Sequence, residues 1–158
     1  MRCTGYGIVS MQGKLWRAVD CGVIRNPAKI PHSECLRRLS GGIAELVSRY
    51  KPEIAVIEGG FFQRNVRTAM VLGMARGAAV AQLASLGIPV YEYAPRRARQ
   101  VVVGMGGATK EEVAALLARQ LQLQIESIPL DATDALALAL CHGILAARPA
   151  ALNDSKPI

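Results

Sequence analysis

Ile54-Ala55-Val56-Ile57-Glu58 is a short apolar run closed by an acid, and its reading decides the fold of this chain. A nearly continuous run of this kind is what a parallel strand covered on both faces looks like. Further along, Asp131-Ala132-Thr133-Asp134 opens a second strongly apolar segment. An acid at the C-terminal end of a buried strand, with two acids one helical turn apart, can hold Mg²⁺ beside a phosphodiester.

Working outward from Glu58, Gly59 to Gln63 is a turn, and a long helix follows from about Asn65 to Leu86, stopping before Gly87. Val90–Tyr93 is another strand. After it come a basic stretch, a loop rich in glycine (Gly104, Gly106, Gly107), and a helix from about Thr109 to Leu121. The last helix runs from Asp131 to about Ala147, and fraying is expected from Pro149 onward.

Upstream, Thr4–Ser10 and Leu15–Val23 are β-favouring runs separated by Met11-Gln12-Gly13-Lys14, which reads as a hairpin. Arg25–Pro31 is a loop. Ser33 can cap a helix running to about Tyr50, with Leu36, Leu39, Ile43, Leu46 and Val47 on its apolar face, and Lys51-Pro52 ends it. A hairpin followed by alternating helices and strands predicts an α/β layered fold with a mixed central sheet flanked by helices, in one domain.

Composition narrows the partners. The chain has 158 residues, enough for one domain with a full core, and 51% apolar with 20% charged residues is globular composition. Lys and Arg outnumber Asp and Glu by 19 to 12, a net charge of +7 that favours a polyanion. Nucleic acid fits better than membrane, because no stretch offers the roughly 18 uninterrupted apolar residues of a span. The N-terminus carries no charged-then-apolar export pattern. Cys3, Cys21, Cys35 and Cys141 are scattered without a Cys-x-x-Cys pair, as reduced, mostly buried thiols in a cytoplasm would be. His32 and His142 read as structural or exposed.

The pieces Thr4-Gly5-Tyr6-Gly7, Ile57-Glu58, Arg76-Gly77, Tyr91-Glu92-Tyr93-Ala94-Pro95, Val103-Gly104, Lys110 and Asp131-Ala132-Thr133-Asp134-Ala135-Leu136-Ala137 occur in this order over nearly the whole chain. Together they resemble the RuvC family of crossover junction endodeoxyribonucleases, the bacterial Holliday junction resolvases of the RNase H-like class. The resemblance implies an RNase H-like nuclease domain over residues 1–148, with 149–158 a flexible tail. It also implies a Mg²⁺-dependent endonuclease with two ions per site, which nicks four-way junction DNA symmetrically as a homodimer. Cooperation with the RuvA–RuvB branch-migration complex in recombination and repair is implied as well.

The family uses four acids. Matched position by position, Glu58 is the second, and Asp131 and Asp134 are the last two. The first belongs to an opening strand that precedes Thr-Gly-Tyr-Gly; only Met1-Arg2-Cys3 stands there, so that central strand and its aspartate are expected to be missing. Asp20 falls on a different strand and cannot substitute. The alternative implied is a catalytically impaired protein that still binds junction DNA.

Each of these residues also has a plainer reading. Asp-x-x-Asp taken alone is more often a helix cap than a metal site, with Asp131 as N-cap. Glu58 alone is a solvated strand end. Phe61 is expected to stack on bases near the junction and Phe62 to pack in the core, although such a pair can also staple the next helix. Arg96, Arg97, Arg99 and Lys110, with Arg64 and Arg67 flanking the Phe loop, are expected to contact phosphates. The stripe Ala69, Gly73, Gly77, Ala81 fits a subunit contact or packing on the sheet equally well.

Overall fold

In the computed structural model the described residues are 2–12, 15–59, 65–123, 128–149 and 155–158. The elements run β1 (Cys3–Gln12), β2 (Leu15–Arg25), α1 (His32–Tyr50), β3 (Ala55–Glu58), α2 (Val66–Ser85), β4 (Val90–Tyr93), α3 (Pro95–Val103), α4 (Lys110–Leu121) and α5 (Leu130–Ala146). Residues 60–64, with Phe61, Phe62 and Arg64, lie outside the described residues.

The strands hydrogen-bond as two ladders rather than one sheet. β1 and β2 are antiparallel, with a register irregularity at Ile8/Val9, while β3 and β4 are parallel, with Glu58 opposite Tyr93 and Ile57 opposite Glu92. Both strand directions of the expected mixed sheet are therefore present, but among the described residues no ladder joins β1 to β3.

Helix α5 spans the two ladders, packing on β1, β2 and β3 as well as on α3 and α4. Its apolar run supplies Leu136, Leu140, Cys141 and Leu145, which with Leu117 of α4 are the largest fully buried side chains. Burying a side chain of this size is worth about 1.5–3 kcal/mol, so this helix is the centre of the fold. Close approach of β1 depends on glycine. A Cβ at Gly5 would overlap the Asp131 carbonyl, and one at Gly7 would sit 2.8 Å from Leu136 Cδ2. The backbone around Asp131 is thus set directly against a strand.

Several local expectations need correction. The helix expected to be capped by Ser33 starts at His32, after Pro31, with no side-chain cap. The basic stretch forms a helix, α3, entered through Pro95 in its first turn and closed by Gly104 at φ 86. Proline suits a first turn and glycine a left-handed cap, so both signals were present. Asp131 is not the N-cap of α5; Pro129 is, without a side-chain bond, leaving the Asp131 carboxylate uncommitted to its helix.

The stripe Ala69, Gly73, Gly77, Ala81 does not pack on the sheet. Gly73, Gly77 and Ala81 are exposed, and a Cβ at either glycine would meet nothing within 4 Å. Cys35 and Cys141 are buried, but Cys21 is half-buried and Cys3 exposed, so two of the four thiols depart from the expected burial. Burial pushes the Cys141 thiol up to about 11. His32 is exposed. His142 is buried, 4.2 Å from the Tyr91 ring and 2.8 Å from the Tyr93 hydroxyl. The chain end contacts β4, where Ile158 N–H donates to Val90 O and Tyr93 OH donates to Ser155 Oγ.

Candidate active site

The C-terminal end of β3 delivers Glu58 beside the first turns of α5, where Asp131 and Asp134 sit. Gly59 follows directly, where a Cβ would overlap Glu92 on β4. The Glu58 carboxyl is held above the usual carboxylate range, first by desolvation and second by the negative charge of Asp134; Lys110 and Arg99 pull the other way. Two carboxylates that repel each other across a partly desolvated gap, offset by two cations, form a site where positive charge is favoured.

Lys110 supplies the nearest of those cations. Its Nζ donates to Asp134 Oδ2 at 2.7 Å, and that bond, ahead of the charges of Asp134, Asp131 and Glu58, raises its pKa. All three acids therefore act on one ammonium. Lys110 is the first residue of α4, whose start is fixed by a reciprocal capping box. Glu112 N–H donates to Thr109 Oγ1 at 3.2 Å, and Thr109 N–H donates to Glu112 Oε2 at 2.8 Å. Arg99, on α3, has a buried Nε–H without an acceptor among the described residues, while its charge acts on Glu58.

Asp131 is placed differently from its two companions. It faces the Cys3 thiol of β1, whose pKa is raised first by a hydrogen bond to that carboxylate. Among the described residues no three His, Cys, Asp or Glu side chains stand close enough together to hold a metal ion. Glu58 and Asp134 act on each other directly, with Asp131 alongside and its carboxylate on the Cys3 thiol. The backbone of Gly5 sits tightly on the Asp131 carbonyl, where a Cβ would overlap it.

The pair still suits a hard cation. Mg²⁺ takes oxygen donors, keeps several waters, and is commonly held by one or two carboxylates together with substrate phosphate oxygens. Glu58 and Asp134 would hold it, with Asp131 beside them as the third carboxylate. When bound, such an ion polarises a phosphoryl oxygen and lowers the pKa of water. Around it, Arg99 and Lys110 offer positive charge to a phosphate.

The remaining basic residues divide between two surroundings. Arg96 is exposed on α3 and lies under the Gly106 turn, and Arg67 is exposed in the first turn of α2. The charge of Arg97 acts on Tyr93 and Cys141. Asp20 accepts hydrogen bonds from Tyr50 OH at 2.6 Å and Tyr6 OH at 3.2 Å, so it ties the hairpin to α1, away from the acids. Sequence reasoning missed the ion pair between Arg76 of α2 and Glu92 of β4, which braces the strand next to Glu58. The quoted pieces Arg76-Gly77 and Tyr91-Glu92-Tyr93 contained both partners.

The family model for crossover junction endodeoxyribonuclease RuvC matches residues 1–142. The chain belongs to the RuvC family. Among curated relatives, the RuvC of Chloroflexus aggregans is 42% identical over 142 residues, covering 90% of this chain and 87% of that protein. The RuvC of Chlorobaculum parvum is 44% identical over 141 residues, covering 89% and 75%. Among solved structures, RuvC of Thermus thermophilus superposes with a TM-score of 0.85 at 29% identity, covering all of this chain and 94% of that one. The T. thermophilus RuvC in complex with a Holliday junction substrate superposes at 0.86, covering 99% and 94%. This RuvC-family chain is a structure-specific endodeoxyribonuclease with the RNase H-like α/β fold.

Proposed function

We propose that this chain resolves Holliday junctions by paired, symmetric nicks during DNA recombination and repair, using Mg²⁺ held by Glu58, Asp131 and Asp134. The observation that carries this reading is the mutual repulsion of Glu58 and Asp134 at the mouth of α5, answered by Lys110 and Arg99. Arg96, Arg97, Arg99, Lys110, Arg64 and Arg67 would carry phosphate contacts, and Phe61 a base contact. Comparing cleavage of a four-way junction, a linear duplex and an RNA–DNA hybrid tests the substrate. Junction cleavage well above the other two is expected, and duplex cleavage as fast as junction cleavage contradicts the reading.

The alternative reading is a catalytically impaired protein that still binds junction DNA, and it predicts junction binding without Mg²⁺-dependent cleavage.

A two-fold dimer suits two equivalent scissile strands. Val66, Met70 and Met74 lie at four-residue spacing along α2 and are 72%, 65% and 41% exposed, alongside the open Gly73 and Gly77 positions. That face is the proposed subunit contact, and Met70→Glu should yield monomers in sedimentation. The RuvA–RuvB complex as partner and a cytoplasmic site of action complete the proposal. Among the described residues no helix is long and apolar enough to cross a membrane.

A further inference from the structure

We infer that Lys110 is a displaceable counter-ion that couples cation binding to DNA binding. Asp134 holds its ammonium, and a divalent cation taken up on Glu58 and Asp134 would release that ammonium to a DNA phosphate. The inference rests on the reading above that these acids hold the cation.

Three observations support the exchange. Lys110 Nζ sits 2.7 Å from Asp134 Oδ2, on the carboxylate the cation would need. The two side chains are 52% and 46% exposed, and exposed pairs shift an equilibrium by no more than about fivefold, so a divalent cation displaces this one readily. The root of the side chain is fixed, because Lys110 opens α4 directly after the Thr109–Glu112 capping box. Its flexible four-carbon stem is free to swing while its base stays still. Arg99 differs, since its Nε is buried.

Without the cation, a phosphate contact by Lys110 sacrifices the Asp134 bond; with the cation bound, that cost is gone. The coupling is reciprocal, so bound DNA must tighten the cation by the same factor. Site assembly then follows a preferred order, and the phosphate finds a free ammonium only where the acids are already neutralised.

The test uses fluorescence anisotropy of a labelled four-way junction at constant ionic strength, with and without Ca²⁺, and Mn²⁺ binding by electron paramagnetic resonance without DNA. Wild-type protein should bind the junction more tightly with Ca²⁺. In Lys110→Met that gain should shrink by about two- to fivefold, and DNA-free Mn²⁺ binding should tighten by a similar factor. Lys110→Arg should keep the wild-type coupling. Unchanged coupling in Lys110→Met, with Mn²⁺ and junction binding intact, overturns the inference alone. Absence of any Mn²⁺ binding in the wild-type protein overturns the cation reading and this inference with it.

Discussion

Arg76 of α2 forms an ion pair with Glu92 of β4, the register partner of Ile57, one residue before Glu58. The pair is partly shielded, with side chains 34% and 29% exposed. It joins the helix that carries the exposed apolar stripe to the strand pair that presents the acid.

Arg76→Met should therefore leave Glu92 partly buried without its partner. A cost of about 1–3 kcal/mol is expected, or roughly 2–4 °C in Tm for each kcal/mol in a chain of this size. Adding Glu92→Gln should recover part of the loss. A double-mutant cycle in thermal unfolding checks this, and strict additivity would show that the pair contributes nothing.

His142 makes stability depend on acid. Burial holds its pKa below the ordinary 6.5. Below that ordinary value the unfolded chain takes up the proton first, so stability is present at neutral pH and declines as pH falls toward the lower folded pKa. The slope cannot exceed about 1.4 kcal/mol per pH unit for one proton. His142→Gln should flatten the Tm profile just below pH 6.5. An unchanged profile would mean that the buried imidazole titrates alike in both states.

Arg96 tests the basic face. It is exposed and carries no salt bridge to the acids among the described residues. Arg96→Ala should weaken junction binding and reduce the slope of log affinity against log salt by about 0.9. Binding measured from low to high salt decides it. An unaltered slope would remove Arg96 from the DNA-facing surface.

Much of this architecture was legible because its signals are local. The run ending in Glu58, the hairpin, and the apolar repeats of α1, α2, α4 and α5 each announce themselves within a few residues. Helix α3 is masked in the sequence because Arg96, Arg97 and Arg99 read as a charged stretch, although Pro95 and Gly104 mark its two ends. The start of α5 was misplaced by one residue, since Pro129, rather than an acid, holds the cap position. Pairing between strands is not a local property, so the separation into two ladders could not be read from periodicity. The contact of Asp131 with Cys3, and that of Gly5 with the Asp131 carbonyl, join residues far apart in the chain and leave no local signal. The convergence of Glu58, Asp134 and Lys110, in contrast, was foreshadowed by their places in the resemblance.

Glu58→Gln is the most direct measurement of the account. Junction cleavage in Mg²⁺ and junction affinity should be measured side by side, in the parent protein and the variant. The amide keeps the shape, removes the charge that Asp134 opposes, and loses a hard donor. Cleavage should fall by more than about 100-fold, while junction affinity stays within a few-fold of the parent. Cleavage that survives the substitution would contradict the assignment of Glu58 to the reacting centre.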